Sequence, residues 1–140
     1  MLTCTQLIEQ RIRNDLRLRF ATTLPRFDLM SQLERHPEGL RMNELSRRMM
    51  VTGGNVTGIT DQLVKEGLVE RVPQPADRRA YRVKLTRAGG KAFSEMAREH
   101  ETWVVEQFAG LTKREHEDLL GLLAKVKQHA LGTIHAKHTV

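Results

Sequence analysis

The sequence predicts a mainly α-helical chain with one small β-hairpin. Apolar residues recur at helical spacing through most of the 140 residues, which is the signature of amphipathic helices. Two short runs have strand character: 68–72 by its composition and 81–85 by its alternation of apolar and charged residues. Turn-forming residues separate the predicted helices and strands from one another. These three observations predict a winged core of helices and a hairpin over about residues 26–90. Terminal helices over about residues 5–22 and 87–131 would flank it.

Two helices begin the chain. The first carries an apolar residue at every fourth position along one face: Ile8, Ile12, Leu16 and Phe20. Thr23 is suited to cap a second helix, with Pro25 in its first turn. We expect this helix to end at about Arg35, before the turn cluster of residues 36–39.

A short helix and then a longer one follow. Asn43 is expected to cap the third helix, which would end near Met49, and Thr52 is expected to cap the fourth, which Gly67 would terminate. The apolar positions of the fourth helix lie three and four residues apart: Val56, Ile59 and Leu63. Its other face is small or polar where Lys and Glu would be usual: Asn55, Thr57, Gly58, Thr60, Asp61 and Gln62. Such a face indicates a surface that approaches another molecule closely.

A hairpin comes next. In the run 81–85, apolar residues alternate with Arg82 and Lys84, which is the period of a half-buried strand. Residues 73–80, which join this run to 68–72, are too many for a tight turn and too polar for a core. We expect them to form a projecting loop with a basic tip.

Two long helices are the last predicted elements. Thr86 is expected to cap the first of them, which would reach about Ala109. Thr112 and Glu115 have the spacing of a capping box, in which each side chain accepts the other residue's backbone N–H, at the start of the last helix. From Gly132 onward we expect a frayed tail.

The net charge of the chain is concentrated in one segment. The whole chain carries +6, with a sequence pI near 10.0. Residues 40–91 hold eleven basic and five acidic residues, so this segment alone accounts for the +6. A basic excess favours an anionic partner, either nucleic acid or a membrane surface. A run of charges is also common on an ordinary solvated face. The motifs inside the segment therefore have to show whether this charge serves an anionic partner.

Several classes of protein are not expected. No run of apolar residues is long enough to span a bilayer, and the first residues lack the charged and apolar regions of a signal peptide. Cys4 is the only cysteine, which excludes an internal disulfide and a multi-cysteine metal site. The sequence has no nucleophile motif, glycine-rich phosphate loop or HExxH motif. We therefore expect a cytoplasmic protein that is not an enzyme and holds no metal or cofactor.

The predicted order of elements, helix–turn–helix followed by a hairpin with a basic tip, is that of a winged helix-turn-helix. The major groove of B-DNA admits one α-helix, and small residues would let the fourth helix come close to base edges. The residues expected in this groove are Thr52, Gly53, Gly54, Asn55, Thr57, Gly58 and Gln62. Arg78 and Arg79 at the hairpin tip are expected to reach a minor groove. Phosphate contacts are expected from Arg47, Arg48, Arg71 and Lys84.

Four segments between residues 24 and 89 carry a resemblance to a known family. They are LPRFDLMSQL (24–33), NELSRRM (43–49), NVTGITDQLVKEGLVERV (55–72) and DRRAYRVKLTRAG (77–89). The last is the most specific, with its wing pattern at Asp77, Arg79, Leu85, Thr86 and Gly89. Together they resemble the multiple antibiotic resistance regulator (MarR) family of bacterial winged-helix transcription factors. The similarity extends more weakly over the terminal helices.

The resemblance implies a single domain over residues 1–140 that forms a homodimer and binds a pseudo-palindromic operator in double-stranded DNA. The terminal helices would form the dimer, and the fourth helix would recognise the operator. A wing arginine, Arg78 or Arg79, would enter the minor groove, while a salt bridge of Asp77 would shape the wing. The residues alone also favour a dimer, because the amphipathic terminal helices have more apolar surface than a winged core of roughly 60 residues can cover.

The resemblance further implies a repressor that is released by a small aromatic acid or by its coenzyme A thioester. The pocket would lie where the dimer helices meet the winged core, lined by Arg13, Arg17, Phe20, Phe27, Met30, His100 and Trp103. Two arginines near aromatic rings suit a ligand with a carboxylate or phosphate beside a ring. The simpler interpretation is that Phe20, Phe27 and Trp103 are ordinary core residues.

Several alternatives remain open at this point. One alternative is an ordinary small α+β domain, in which the fourth helix has no role beyond packing. A sequence-nonspecific architectural DNA-binding protein would use the wing and the charge but not Asn55. An oxidant-sensing regulator would use Cys4, and a winged-helix protein-interaction module would dock its basic face on an acidic partner. The small, polar face of the fourth helix favours the sequence-specific regulator.

Overall fold

The computed structural model of the chain describes residues 2–49 and 55–138. In these ranges the elements are α1 (Leu2–Phe20), α2 (Leu24–Glu34), β1 (Leu40–Arg41), α3 (Met42–Arg48), α4 (Val56–Lys65), β2 (Val69–Gln74), β3 (Asp77–Leu85), α5 (Arg87–Gln107) and α6 (Lys113–His138). The mainly helical fold class with a small sheet is therefore confirmed. Contacts within the chain divide it into two units, Met1–Thr102 and Trp103–Val140. No helix in the described ranges is long and apolar enough to cross a membrane.

The predicted start of α2 is confirmed. The Thr23 hydroxyl accepts a hydrogen bond from the backbone N–H of Arg26 at 3.4 Å, and Pro25 lies in the first turn. The buried side chains of α2 are Phe27, Leu29, Met30 and Leu33. From the apolar face of α1, Ile12 and Leu16 are buried, so this helix packs through its middle turns.

Two predicted helix caps are wrong. α3 begins one residue before Asn43, whose side chain accepts a hydrogen bond from the N–H of Glu44 at 2.9 Å inside the first turn. This helix starts early because it follows the paired strand β1 directly. α4 begins directly after Asn55, which is its cap in place of Thr52, a residue outside the described ranges. Asn caps a helix as well as Thr does, and Asn55 lies directly before Val56, the first residue of the helix.

The three strands of the described residues form one antiparallel sheet in the order β1-β3-β2. The two-residue strand β1 was not predicted. The expected projecting loop over residues 73–80 is wrong, because β2 continues to Gln74 and β3 begins at Asp77, which leaves a two-residue turn. Pro73 is compatible with this pairing because β2 is an edge strand, and edge strands tolerate a residue without an N–H.

The core of the first unit lies between its helices and the sheet. Its fully buried side chains are Leu16, Leu29, Met30, Leu33, Leu40, Leu45, Met49, Thr60, Leu63, Val69 and Val83. The burial of Thr60 contradicts the expectation that this residue belongs to the exposed polar face of α4. Its hydroxyl donates to the backbone carbonyl of Val56 at 2.7 Å, which satisfies this polar group inside the core.

The start of α5 contacts the segment that joins α4 to β2. The Thr86 hydroxyl accepts the N–H of Gly89 at 3.0 Å as predicted for a cap, and it donates to the carbonyl of Gly67 at 2.6 Å. Gly67 itself has a φ of +74°, which suits the end of α4. A Cβ on Gly89 would lie 1.8 Å from the carbonyl oxygen of Leu68. The backbones meet here only because residue 89 has no side chain.

The second unit contains the end of α5 and the whole of α6. The predicted capping box is confirmed, since the Thr112 N–H donates to the Glu115 carboxylate at 2.8 Å and the Glu115 N–H donates to the Thr112 hydroxyl at 3.2 Å. The predicted frayed tail from Gly132 is wrong, because α6 continues to His138.

Candidate nucleic-acid interface

The exposed surface of α4 begins with a hydrogen-bonded cap. Oδ1 of Asn55 accepts the backbone N–H of Gly58 at 3.1 Å. A Cβ on Gly58 would lie 2.8 Å from Nδ2 of Asn55, so glycine leaves the room that this cap needs. Thr57 lies exposed between them. The other predicted groove residues of this segment, Thr52, Gly53 and Gly54, lie outside the described ranges.

Gln62 is exposed farther along α4 and has a partner that the sequence does not predict. Arg26 of α2 donates to Oε1 of Gln62 at 3.3 Å and forms an ion pair with Glu66. Thirty-six residues separate Arg26 from Gln62 along the chain. No local pattern signals such a contact, because it depends on how α2 and α4 pack.

Two of the predicted phosphate contacts lie at the end of α3. Arg47 and Arg48 are exposed in its last turn, where positive side chains also complement the negative end of the helix dipole. Together with Glu44 they border a shallow polar recess. Neither arginine forms an ion pair with another described residue, so both are available to an anionic ligand.

The other two predicted phosphate contacts are paired with acids. Arg71 on β2 forms an ion pair with Asp61 of α4, and its guanidinium carbon lies 5.5 Å from the centre of the Tyr81 ring. Burial lowers the pKa of Arg71, but hydrogen bonds with Tyr81 and Asp61 more than offset it and raise that pKa. Lys84 Nζ lies 3.4 Å from a carboxylate oxygen of Glu70. A phosphate therefore competes with carboxylates at both positions, and the Asp61–Arg71 pair ties α4 to the hairpin.

The predicted wing residues lie at the tip of this hairpin. Asp77, Arg78 and Arg79 are the first residues of β3, directly after the turn, and Asp77 pairs with Gln74 of β2 in the sheet. Their side chains lie outside the part of the structure that is described, so the contacts expected of them stay predictions.

The residues predicted to line an effector pocket lie in separate places. Arg13 and Arg17 border a recess of about 260 Å³ next to residues 22–24. Phe20 borders a different hollow beside Arg98. The structure thus brings the two arginines together but places Phe20 elsewhere in the first unit.

The remaining residues of this prediction are mostly buried. Phe27 and Met30 belong to the core of the first unit, and the Phe27 ring lies 4.8 Å from the ring of His100. Burial lowers the pKa of His100. Trp103 is buried and belongs to the second unit. These positions agree with the simpler interpretation as core residues, and the pocket stays a prediction.

The structure adds little to the other predicted chemistry. Cys4 is an exposed free thiol on α1, and no second observation supports the oxidant-sensing alternative. Within residues 2–49 and 55–138, no three His, Cys, Asp or Glu side chains are grouped so that they could hold a metal ion.

Comparisons with known proteins identify the family. The MarR family model matches residues 22–81. The chain is also similar to the uncharacterized HTH-type transcriptional regulator YsmB of Bacillus subtilis (strain 168), with 30% identity over 109 residues, which are 78% of this chain and 73% of YsmB. This chain belongs to the MarR family.

Another relative matches over a smaller part of its length. The uncharacterized HTH-type transcriptional regulator YkoM of Bacillus subtilis (strain 168) is 28% identical over 90 residues, which are 64% of this chain and 58% of YkoM. The match therefore spans less than two thirds of that relative.

Solved structures share the MarR fold with this chain. A MarR family transcriptional regulator from Silicibacter pomeroyi has a TM-score of 0.76 and 27% identity, with 92% of this chain and 88% of that chain covered. Sco3205, a MarR family regulator from Streptomyces coelicolor solved in complex with DNA, has a TM-score of 0.78 and 22% identity, with 91% and 81% covered. At that identity the second likeness shows the fold alone.

The MarR match covers the winged part of the chain. Residues 22–81 begin at the corner before α2 and end within β3. The matched range includes Arg26, α3, α4 and most of the hairpin. The matched range therefore contains the elements that carry the exposed arginines of α3 and the polar face of α4.

Proposed function

We propose that this MarR-family chain is a homodimeric, sequence-specific DNA-binding transcriptional regulator. The observation that carries the proposal is the setting of α4, which contacts both α3 and β2. α4, with its exposed polar side chains, is thus a neighbour of α3, whose last turn carries the exposed Arg47 and Arg48, and of the hairpin. A helix flanked by cations fits the major groove, because phosphates form the walls of that groove.

Base contacts fall to the exposed side chains of α4. Thr57 and Gln62 present hydrogen-bonding groups, and the Asn55 side chain lies at the helix start, which is the end that usually reaches the bases. A bidentate contact with adenine needs both amide atoms of an asparagine. Because Oδ1 of Asn55 already caps α4, such a contact would compete with the cap.

Phosphate contacts position the protein without specifying sequence. Arg47 and Arg48 have no competing carboxylate partner among the described residues and are assigned this role first. Arg71 and Lys84 contribute less, because Asp61 and Glu70 neutralise them. The wing arginines, Arg78 or Arg79, are assigned to the minor groove.

A second copy of the chain is assigned to the exposed apolar face of the second unit. Every side chain from Leu120 to Thr133 is exposed, and the large apolar ones among them are Leu120, Leu122, Leu123, Val126 and Leu131. Val104, Phe108 and Leu119 border an apolar groove of about 260 Å³ beside this face. Large exposed apolar patches mark interfaces. A two-fold axis would place the two α4 helices about 34–36 Å apart, at successive half-sites.

The proposed regulator is a repressor that a small aromatic acid or its coenzyme A thioester releases. Arg13 and Arg17 offer guanidinium groups to a carboxylate or phosphate in their recess. Arg13 currently pairs with Glu9 at 3.0 Å, so a bound anion would replace that partner. The recess borders Thr22, whose hydroxyl accepts from Arg26. A ligand there would lie close to the contacts that hold α4.

Footprinting on the DNA beside the chain's own gene tests the proposal. We expect two protected half-sites whose centres lie about 10 base pairs apart, with protection lost when the right aromatic acid is added. Even protection along any DNA would instead support an architectural protein. No binding at low salt would favour a protein-interaction module.

Sedimentation velocity tests the dimer separately. Leu120→Glu places a charge on the exposed apolar face, and we expect it to convert the dimer into a monomer. Glu117→Gln, on an exposed position of the same helix, is the matched control and should leave the dimer intact. A monomeric wild-type chain would contradict the proposed assembly.

A further inference from the structure

Arg26 connects α4 to the corner between α1 and α2 through all of its side-chain nitrogens. Nε donates to the hydroxyl of Thr22 at 3.1 Å, Nη1 donates to Oε1 of Gln62 at 3.3 Å, and Nη2 pairs with the carboxylate of Glu66. The Arg26 side chain is only 17% exposed. Gln62 and Glu66 lie four residues apart and thus on one face of the helix, so one planar guanidinium reaches both.

This arrangement determines which end of the Gln62 amide faces outward. A guanidinium has hydrogen-bond donors and no acceptor. The side-chain amide of Gln62 could turn either its oxygen or its nitrogen toward Arg26. Only the oxygen can accept a hydrogen bond from the guanidinium, so the oxygen faces Arg26. The amide nitrogen, with its two N–H donors, is then left for a ligand at the exposed surface of α4.

We propose that Arg26 is a positioning residue that makes Gln62 a hydrogen-bond donor toward the operator. The inference rests on the proposed DNA-binding function. In the major groove guanine presents two acceptors, whereas cytosine presents only the N4 donor. A glutamine held by its oxygen selects a base with an acceptor and rejects cytosine. An unrestrained glutamine turns over and offers its oxygen to a donor as well.

Arginine is the side chain that this role requires. Its fork of donors is rigid and planar, so the ion pair with Glu66 also fixes the direction of the donor that reaches Gln62. A lysine would offer a single compact charge. Lysine at position 26 would pair with Glu66 and leave the Gln62 amide free to turn.

The test is a selection from DNA with a randomised half-site, sequenced for the wild type and for four variants. Gln62→Ala identifies the base pair whose preference depends on Gln62. Arg26→Met and Arg26→Lys remove the restraint on the amide. Arg19→Met is the matched control, because Arg19 forms an exposed ion pair with Glu99 that does not involve α4. Thermal unfolding of each variant shows that it is folded.

We expect both Arg26 variants to weaken the discrimination against cytosine at the Gln62-dependent base pair by about 5-fold or more, with preferences elsewhere in the half-site kept. Arg19→Met should leave every position unchanged. A uniform loss at all positions in the Arg26 variants, or a Gln62→Ala selection identical to that of the wild type, would overturn the inference. A wild-type protein that selects no sequence would instead overturn the proposed function on which it rests.

Discussion

Oδ1 of Asn55 accepts the backbone N–H of Gly58 at 3.1 Å, and the absence of a side chain on Gly58 leaves room for it. Asn55 thus caps the helix that carries the other residues proposed to face the major groove. The same amide that suits a base contact is used to order the helix. The cap and the proposed base contact would therefore compete for the same amide, and substitutions can separate the two.

Asn55→Ala should cost about 1 kcal/mol of unfolding free energy, because the N–H of Gly58 loses its acceptor. Asn55→Ser keeps a side-chain oxygen and should cost only a few tenths of that. Urea unfolding measures both values. If both variants bind the operator less selectively although only the alanine variant is less stable, Asn55 also contacts a base. An alanine variant as stable as the wild type would show that the cap contributes nothing.

Gly89 and Gly90 provide a matched pair in the first turn of α5. A Cβ at residue 89 would collide with the backbone of Leu68, whereas a Cβ at residue 90 meets nothing within 4 Å. We expect Gly89→Ala to destabilise the chain by about 2 kcal/mol or more. Gly90→Ala should stabilise it by about 0.5–1 kcal/mol, because alanine is the better helix former.

Chemical denaturation of the two variants measures the difference. Equal effects of the two alanines would contradict the close contact between α5 and the α4–β2 connection.

Stability should depend on the protonation of His100. Burial lowers the pKa of this imidazole below its ordinary value of 6.5, so the unfolded chain binds a proton at a higher pH than the folded chain. The contribution of His100 to the free energy of unfolding is then fully present above about pH 7. It decreases as the pH falls from the pKa of His100 in the unfolded chain toward its pKa in the folded chain. Urea titrations between about pH 7.5 and 5 follow this change.

His100→Phe removes the titration and keeps an aromatic ring against Phe27, so we expect a shallower decrease in stability over the same pH range. His129→Gln is the control, because His129 is exposed on α6. An unchanged decrease in the phenylalanine variant would show that another group is responsible.

The exposed arginines of α3 should contribute to affinity without contributing to specificity. Arg47→Gln and Arg48→Gln would each remove the proposed phosphate contact from both protomers of the dimer, so each should reduce the slope of log Kd against log salt by about 2. Both variants should bind operator DNA and scrambled DNA more weakly than the wild type does, by similar factors. Lys125→Gln, on exposed α6, should change neither. A loss confined to operator DNA would mean that these arginines read bases instead.

The sequence predicts the elements whose signals are local. The Thr23 cap and the Thr112–Glu115 box each lie within one helical turn, and both are present in the structure. Strand β1 is different, because two residues have no periodicity of their own and form a strand only by pairing with β3. The same holds for residues 73–80, where pairing extends the strands through a polar, proline-containing stretch.

The candidate site shows the same division. The exposure of Thr57, Gln62, Arg47 and Arg48 follows from helical spacing and charge. The burial of Thr60 and the contact of Arg26 with α4 depend on packing between elements distant in sequence. No local pattern distinguishes Arg26 from any other basic residue at the start of a helix.

Sequence-specific binding of DNA is the central claim, and one measurement tests it most directly. Fluorescence anisotropy at fixed salt compares the intergenic DNA beside the chain's own gene with a scrambled duplex of the same composition, for the wild type and for Arg79→Ala. We predict that the wild type prefers the intergenic DNA by about a thousandfold or more, and that Arg79→Ala binds it more weakly with a shallower salt dependence. Equal wild-type affinity for the two duplexes would contradict the account.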